Sequence, residues 1–158
     1  MGKVLTTFAN VFPGAISRNV DDVVISQPNT STAAIKFGDL VFLDTTNGGA
    51  RGFAASDGMT GFLGVATRIG IKTPETYGGD VGQYNPGDVM SIIVRGSVCV
   101  ALKGDTAAAL GGKVYMDATD GKVTALSTSN TELTNCKFRG AKAANGCVEI
   151  VITERNIQ

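Results

Sequence analysis

The 158-residue chain contains no histidine and no tryptophan, and its 14 basic residues are matched by 14 acidic ones. Without histidine there is no Ser-His-Asp triad, no Cys-His pair, no imidazole ligand for zinc and no side chain that titrates unperturbed near neutral pH. Without a cationic excess, the phosphate contacts that drive nucleic-acid binding have no evident source, and an anionic membrane gains no attraction either. Tyrosine occurs three times, at Tyr77, Tyr84 and Tyr115, which is little material for the aromatic platforms that take single-stranded nucleic acid or sugars. No apolar stretch approaches the roughly 20 residues of a spanning helix. The first 20 residues hold no apolar run of signal-peptide length, so the expectation is a protein made and assembled in the cytosol.

Cysteine is scarce too. Cys99, Cys136 and Cys147 cannot all pair within one chain, and no C-x-x-C spacing points to a thiolate metal site or a redox motif. Buried, reduced thiols are the expectation; Cys136 and Cys147 flank a predicted hairpin across which they would face each other.

The residues that are abundant point to one backbone class. Val, Ile and Thr total 43, whereas Leu, Met, Glu, Gln and Lys together reach 27. Side chains branched at Cβ fit a pleated surface and lose rotamer freedom in a helix, and 21 glycines supply turn conformations. The reading is an all-β, single-domain sandwich or barrel of about eight strands with an extended N-terminal arm.

Residues 1–34 stand apart from the β domain of residues 35–158. Val4, Leu5, Phe8, Val11, Phe12, Ile16 and their neighbours follow neither a 3.6 nor a 2.0 period, and Pro13-Gly14 and Gln27-Pro28-Asn29 break the segment. Such a stretch reads as an arm lying along another surface, or as a first strand over 20–26 behind a frayed terminus. Strands are then expected over 35–43, 53–56 and 61–71. The loop over 73–87, with Pro74, Gly78-Gly79 and Pro86-Gly87, is long enough to lie at an interface, and Tyr77 and Tyr84 are its aromatic anchors.

The clearest alternation follows: Met90, Ile92, Val94, Val98, Val100 and Leu102 share a parity, interrupted at Gly96, where a bend or bulge is expected. Asp105 caps a predicted helical turn over 106–110. Two hairpins complete the chain, 113–118 with 122–127 across Asp120-Gly121, and 133–141 with 147–154 across Asn145-Gly146.

Chemical motifs are thin. Asp117 and Asp120 stand three apart before Gly121, but the EF-hand spacing and its closing glutamate are missing, so turn chemistry accounts for them. Gly61-Phe62-Leu63-Gly64 and Gly111-Gly112-Lys113 lack P-loop spacing and open no helix. Ser97 lacks the second glycine of a nucleophile elbow and a histidine to take its proton. No catalytic residue, cofactor site or metal site is assigned.

The order of motifs carries more information than any one of them. Ile35-Lys36-Phe37-Gly38-Asp39-Leu40-Val41, then Gly61-Phe62-Leu63-Gly64-Val65-Ala66, then Tyr84-Asn85-Pro86-Gly87-Asp88 leading to Val94-Arg95-Gly96-Ser97-Val98, then Gly111-Gly112-Lys113-Val114-Tyr115 with Asp120-Gly121, resembles the capsid cement (head decoration) proteins of tailed bacteriophages over roughly residues 14–152. The resemblance implies a virion protein on the capsid exterior, assembled in the bacterial host cytoplasm. It further implies the major capsid protein as partner, no catalysis, no cofactor, and a homo-oligomer, with a trimer favoured. Phe8, Val11 and Phe12 in the arm and Tyr77 and Tyr84 in the long loop are the expected capsid or intersubunit contacts. The alternative is a carbohydrate-binding or adhesion module of a phage particle, which would bind glycans in isolation through exposed aromatics.

Overall fold

A computed structural model describes residues 12–68 and 82–156. Among them the chain forms eleven strands and one single-turn 3₁₀ segment over Met59–Gly61. The strands are β1 (Ile16–Pro28), β2 (Ile35–Lys36), β3 (Leu40–Asp44), β4 (Gly49–Arg51), β5 (Phe62–Ala66), β6 (Gln83–Tyr84), β7 (Val89–Lys103), β8 (Lys113–Met116), β9 (Val123–Thr124), β10 (Thr131–Phe138) and β11 (Cys147–Ile152). The all-β reading is met, with more and shorter pieces than the eight expected.

The long strand β7 organises everything else. Its second half pairs with β11 on one edge, from Cys147 opposite Ala101 to Ile152 opposite Gly96, and with β9 in parallel at Leu102 and Lys103. Antiparallel pairings β9–β8, β8–β10 and β10–β11 return to the start, so five strands close into a barrel, which leaves no open edge between them. The first half of β7 pairs with β1 on one edge and β5 on the other, and β5 continues to β3 and β4. A single parallel bridge between Asn29 and Ala50 brings the end of β1 back to β4 and completes a second, looser ring.

Two cores match the two rings. Val98, Val100, Leu102, Val114, Met116, Leu133, Phe138, Val148 and Ile150 fill the barrel, and Leu40, Phe42, Phe62, Val65 and Ile93 extend that core under the neighbouring sheet. Ile35, Phe37, Val41, Ala66, Tyr84, Met90, Ile92 and Val94 fill the second ring. Strands β3, β5 and the first half of β7 are thus buried on both faces, so adjacent residues such as Ile92 and Ile93 point into different cores.

Gly96 is the pivot. Residues of one parity serve the second core as far as Val94, whereas from Val98 the same parity serves the barrel. Between them Gly96 adopts φ +119°, and opposite it β1 carries register shifts and Asp21 at φ +70°. The expected irregularity is therefore present, and it exchanges the faces of the strand as well as bending it.

Several expected strands are differently cut. The run over 35–43 divides into β2 and β3 because Gly38 turns the chain at φ +84°, with Pro13 packed where a Cβ would stand. Residues 53–56 are not a strand; Asp57 accepts the Ala54 N–H and both terminal nitrogens of Arg51, which makes this a pinned turn, and the strand lies earlier, at β4. The turn over 106–110 is not helical and is followed by Gly111 at φ +77°. Both C-terminal hairpins form, β8 with β9 and β10 with β11. Residues 16–28, which the sequence reading placed within the arm or a first strand, pair with β7 along most of their length.

Candidate interaction surface

Among the described residues no group of three or more His, Cys, Asp or Glu side chains converges on a point that could hold a metal ion. Eleven of the charged side chains pair with one another. Arg51 forms a bidentate pair with Asp57, Lys103 bridges Asp117 and Asp120, Lys113 meets Glu132, Lys122 meets Asp39 and Arg95 meets Asp21. The Asp117–Asp120 pair considered as a cation loop is occupied by the Lys103 ammonium and by the Thr119 and Asp120 N–H groups.

Two further groups show how polar atoms are spent on structure. Asp44 accepts from the Thr30 hydroxyl, the Asn47 side-chain amide and the Thr46 and Asn47 N–H groups, and these bonds hold its carboxyl at about 2. All three thiols are buried and none is in a disulfide; burial pushes Cys99 up to about 11 and Cys136 to about 12, so neither is a thiolate at neutral pH. Cys136 lies opposite Ile152 and Cys147 opposite Ala101, so the two do not face each other across the hairpin as the spacing suggested. The electrostatic neighbour of Cys147 is Cys99 on β7.

The five residues expected to make contacts fare differently. Phe8, Val11 and Tyr77 lie outside the described residues. Phe12 is 58% exposed, with the Arg68 guanidinium 5.4 Å from its ring centroid. Tyr84 is fully buried: its ring meets Phe37 edge-on at 5.2 Å, its hydroxyl donates to the Thr67 carbonyl at 2.8 Å, and it accepts from the Ser91 N–H. The side chain is a bolt inside the second ring and offers no outer surface. Tyr84 sits there because β6 pairs with β2, a contact between segments far apart in sequence.

Sequence reasoning missed the other exposed apolar side chains, Val24, Val89, Leu110 and Leu126. In the β1–β7 ladder Val24 stands opposite Ile93 and Val89 opposite Pro28, where the ladder ends, and both valines are open to solvent. The only available signal was that residues 23–28 carry no charge. Leu110 is 75% exposed, between three alanines and two glycines, a composition that read as a helical turn.

A groove runs between the two rings. One hollow of about 350 Å³ is lined by Ala33, Ala34, Gly52, Phe53, Gly121 and Lys122. It shares Ala33, Ala34, Ile35, Gly52 and Phe53 with a second hollow of about 430 Å³ that continues past Thr30 and Asn47. At the other end it shares Asp39, Leu40, Gly121 and Lys122 with a narrower hollow of about 80 Å³ whose wall includes Pro13. Gly121 is required here: φ is +68° and a Cβ would overlap the Phe53 side chain, so the Asp-Gly turn packs directly on the groove floor.

The arrangement has wide surfaces, no net charge and no convergent metal-ligating groups among the described residues, which suits contact with other proteins. Comparison with known proteins agrees. The sequence profile of the structural cement proteins (E217 gp24/Pam3 gp6) matches residues 3–153. Among solved structures, a chain from the capsid of Myoviridae phage XM1 superposes with a TM-score of 0.75 at 20% identity, covering 96% of each chain. A chain from the head fibre gp8.5 N base of bacteriophage phi29 gives 0.44 at 10% identity, covering 86% of this chain and 99% of that one. No curated protein matches the sequence. With a profile match across almost its whole length, the chain belongs to the bacteriophage structural cement protein family.

Proposed function

We propose that the protein binds the outside of the assembled phage head and holds neighbouring capsomers of the major capsid protein together. The observation that carries this reading is the family match over residues 3–153. The physical logic is linkage: a protein that binds the assembled lattice and not its dissociated subunits lowers the free energy of the lattice by RT ln(1 + [L]/Kd). This is about 2.7 kcal/mol per site at a hundredfold excess over Kd. Symmetry repeats that gain over the shell, so no single contact has to be strong. A β-scaffold closed on itself and braced by ion pairs such as Lys103 with Asp117 and Asp120 suits such a load. The protein acts as a homo-oligomer, a trimer, and its contacts come from the arm residues Phe8, Val11 and Phe12 and from Tyr77.

Purified protein mixed with expanded heads that lack it tests the reading by co-sedimentation, electron cryomicroscopy and thermal release of packaged DNA. Saturable binding at symmetry-related junctions with greater heat resistance is the expected result. A folded protein that leaves matched heads bare would overturn it and make a glycan screen the next experiment. Arm function is tested by removing residues 1–11 only, because a cut at residue 30 would also strip β1 from β7.

A further inference from the structure

Two loops stand side by side at one end of the barrel. Residues 104–112 join β7 to β8, and residues 139–146 join β10 to β11. The Gly111 N–H donates to the Phe138 carbonyl at 2.8 Å, the Phe138 N–H to the Gly112 carbonyl at 3.0 Å, and the Lys142 ammonium to the Gly104 carbonyl at 3.0 Å. Solvent-facing loops are ordinarily polar, yet Ala107, Ala109, Leu110, Ala141 and Ala144 are all exposed here. Leu110, at 75%, is the most exposed of the large apolar side chains described.

The tip is held in place. Ala108 is buried with the barrel core, and the Gly112 N–H donates to the Ala109 carbonyl at 2.9 Å. Leu110 is thus carried on a pinned turn, so docking it against a partner requires little further ordering of the chain. The charges beside it are one-sided. Arg139 and Lys142 are exposed and belong to none of the ion pairs of the described residues, and Asp105 is the only acid in either loop. An aliphatic knob beside uncompensated cations is complementary to an apolar socket edged by carboxylates. One leucine and two cations set against one acid are too little to hold a membrane surface.

We propose that this tip is a capsid contact, in which Leu110 inserts into an apolar socket of the major capsid protein whose rim presents carboxylates to Arg139 and Lys142. The proposal rests on the capsid reading above and adds a contact that does not involve the arm. Each socket needs only modest affinity, because an oligomer engaging several of them at once binds through their combined effect.

The test measures binding of the full-length protein and its variants to expanded heads that lack it. Leu110→Ser should weaken binding at least about tenfold, whereas Leu110→Met should stay within about threefold of the wild type. Both should melt at the wild-type temperature, because this side chain is in water in the free protein. The double variant Arg139→Gln with Lys142→Gln should also bind more weakly, and its affinity should fall less steeply with added salt. Equally tight binding by the wild type and Leu110→Ser would overturn the proposal and leave the capsid reading standing, whereas wild-type protein that leaves the heads bare would overturn both. An unaltered salt dependence in the double variant would refute the carboxylate rim. A change in the mass of the free protein on Leu110→Ser, read by light scattering, would overturn the proposal in favour of a contact between copies.

Discussion

Replacing Gly96 with alanine tests the central feature of this fold, the point where β7 exchanges its faces between two cores. Two costs arise there. The backbone sits at φ +119°, a conformation that L-residues rarely adopt and that costs roughly 1–3 kcal/mol. An added Cβ would also stand 2.8 Å from Cγ and 3.1 Å from Cα of Asp22, and would overlap one carboxylate oxygen, an overpacking penalty of about 1–3 kcal/mol. Gly96→Ala should therefore destabilise the protein by roughly 2–6 kcal/mol. The two terms separate in a double-mutant cycle, because Asp22→Ala removes the carboxylate but leaves φ as it is. In that background the alanine should cost only about 1–3 kcal/mol. Urea unfolding followed by far-ultraviolet circular dichroism, at one fixed protein concentration, measures all four corners of the cycle. A loss below about 1 kcal/mol in the wild-type background would show that the strand relaxes at the pivot and that the strain argument is wrong. An equal loss in both backgrounds would show that Asp22 does not press on Gly96.

Asp44 predicts an acid limb of stability. Its folded-state pKa of about 2 lies below the ordinary 3.8, so its contribution is complete above about pH 4 and disappears as pH falls towards 2; the Asp44→Asn variant should show a flatter acid limb in thermal melts from pH 5 to pH 2, and an unchanged limb would remove Thr30 and Asn47 as the cause. Tyr84→Phe leaves the Thr67 carbonyl and the Ser91 N–H without the phenol oxygen and should cost about 1–3 kcal/mol in urea unfolding, while capsid binding per folded molecule stays the same; a change in affinity at unchanged stability would return Tyr84 to the contact surface. The buried thiols should react slowly with a soluble disulfide reagent at pH 8 and rapidly once denaturant is added, and fast stoichiometric labelling of the native protein would contradict their burial.

Local signals were legible where a strand meets solvent or a turn needs a special backbone. Asp120-Gly121 forms its turn because glycine accepts φ +68°, and the hairpin of β8 and β9 follows from it. The break at Gly96 was legible for the same reason. The run over 35–43 was misread as one strand because Phe37-Gly38-Asp39 continues its apolar character while Gly38 reverses the chain. Tyr84 looked like a loop anchor because its neighbours are Gln83 and Asn85; its burial depends on β2, nearly fifty residues away, and no local pattern encodes a pairing over that distance.

The sequence by itself determined an all-β chain without imidazole chemistry or net charge, and an order of motifs that places it in the cement family. Those properties depend on composition, period two and turn residues, all of which act within a few positions. Tertiary structure alone decided that β7 belongs to two rings, that β9 and β11 close one of them, and that Tyr84 points inward. It alone brought 33–35, 52–54 and 120–122 together as walls of one groove. These outcomes turn on which faces are covered once distant strands meet, and alternation along a strand says which residues share a face but not what that face will touch.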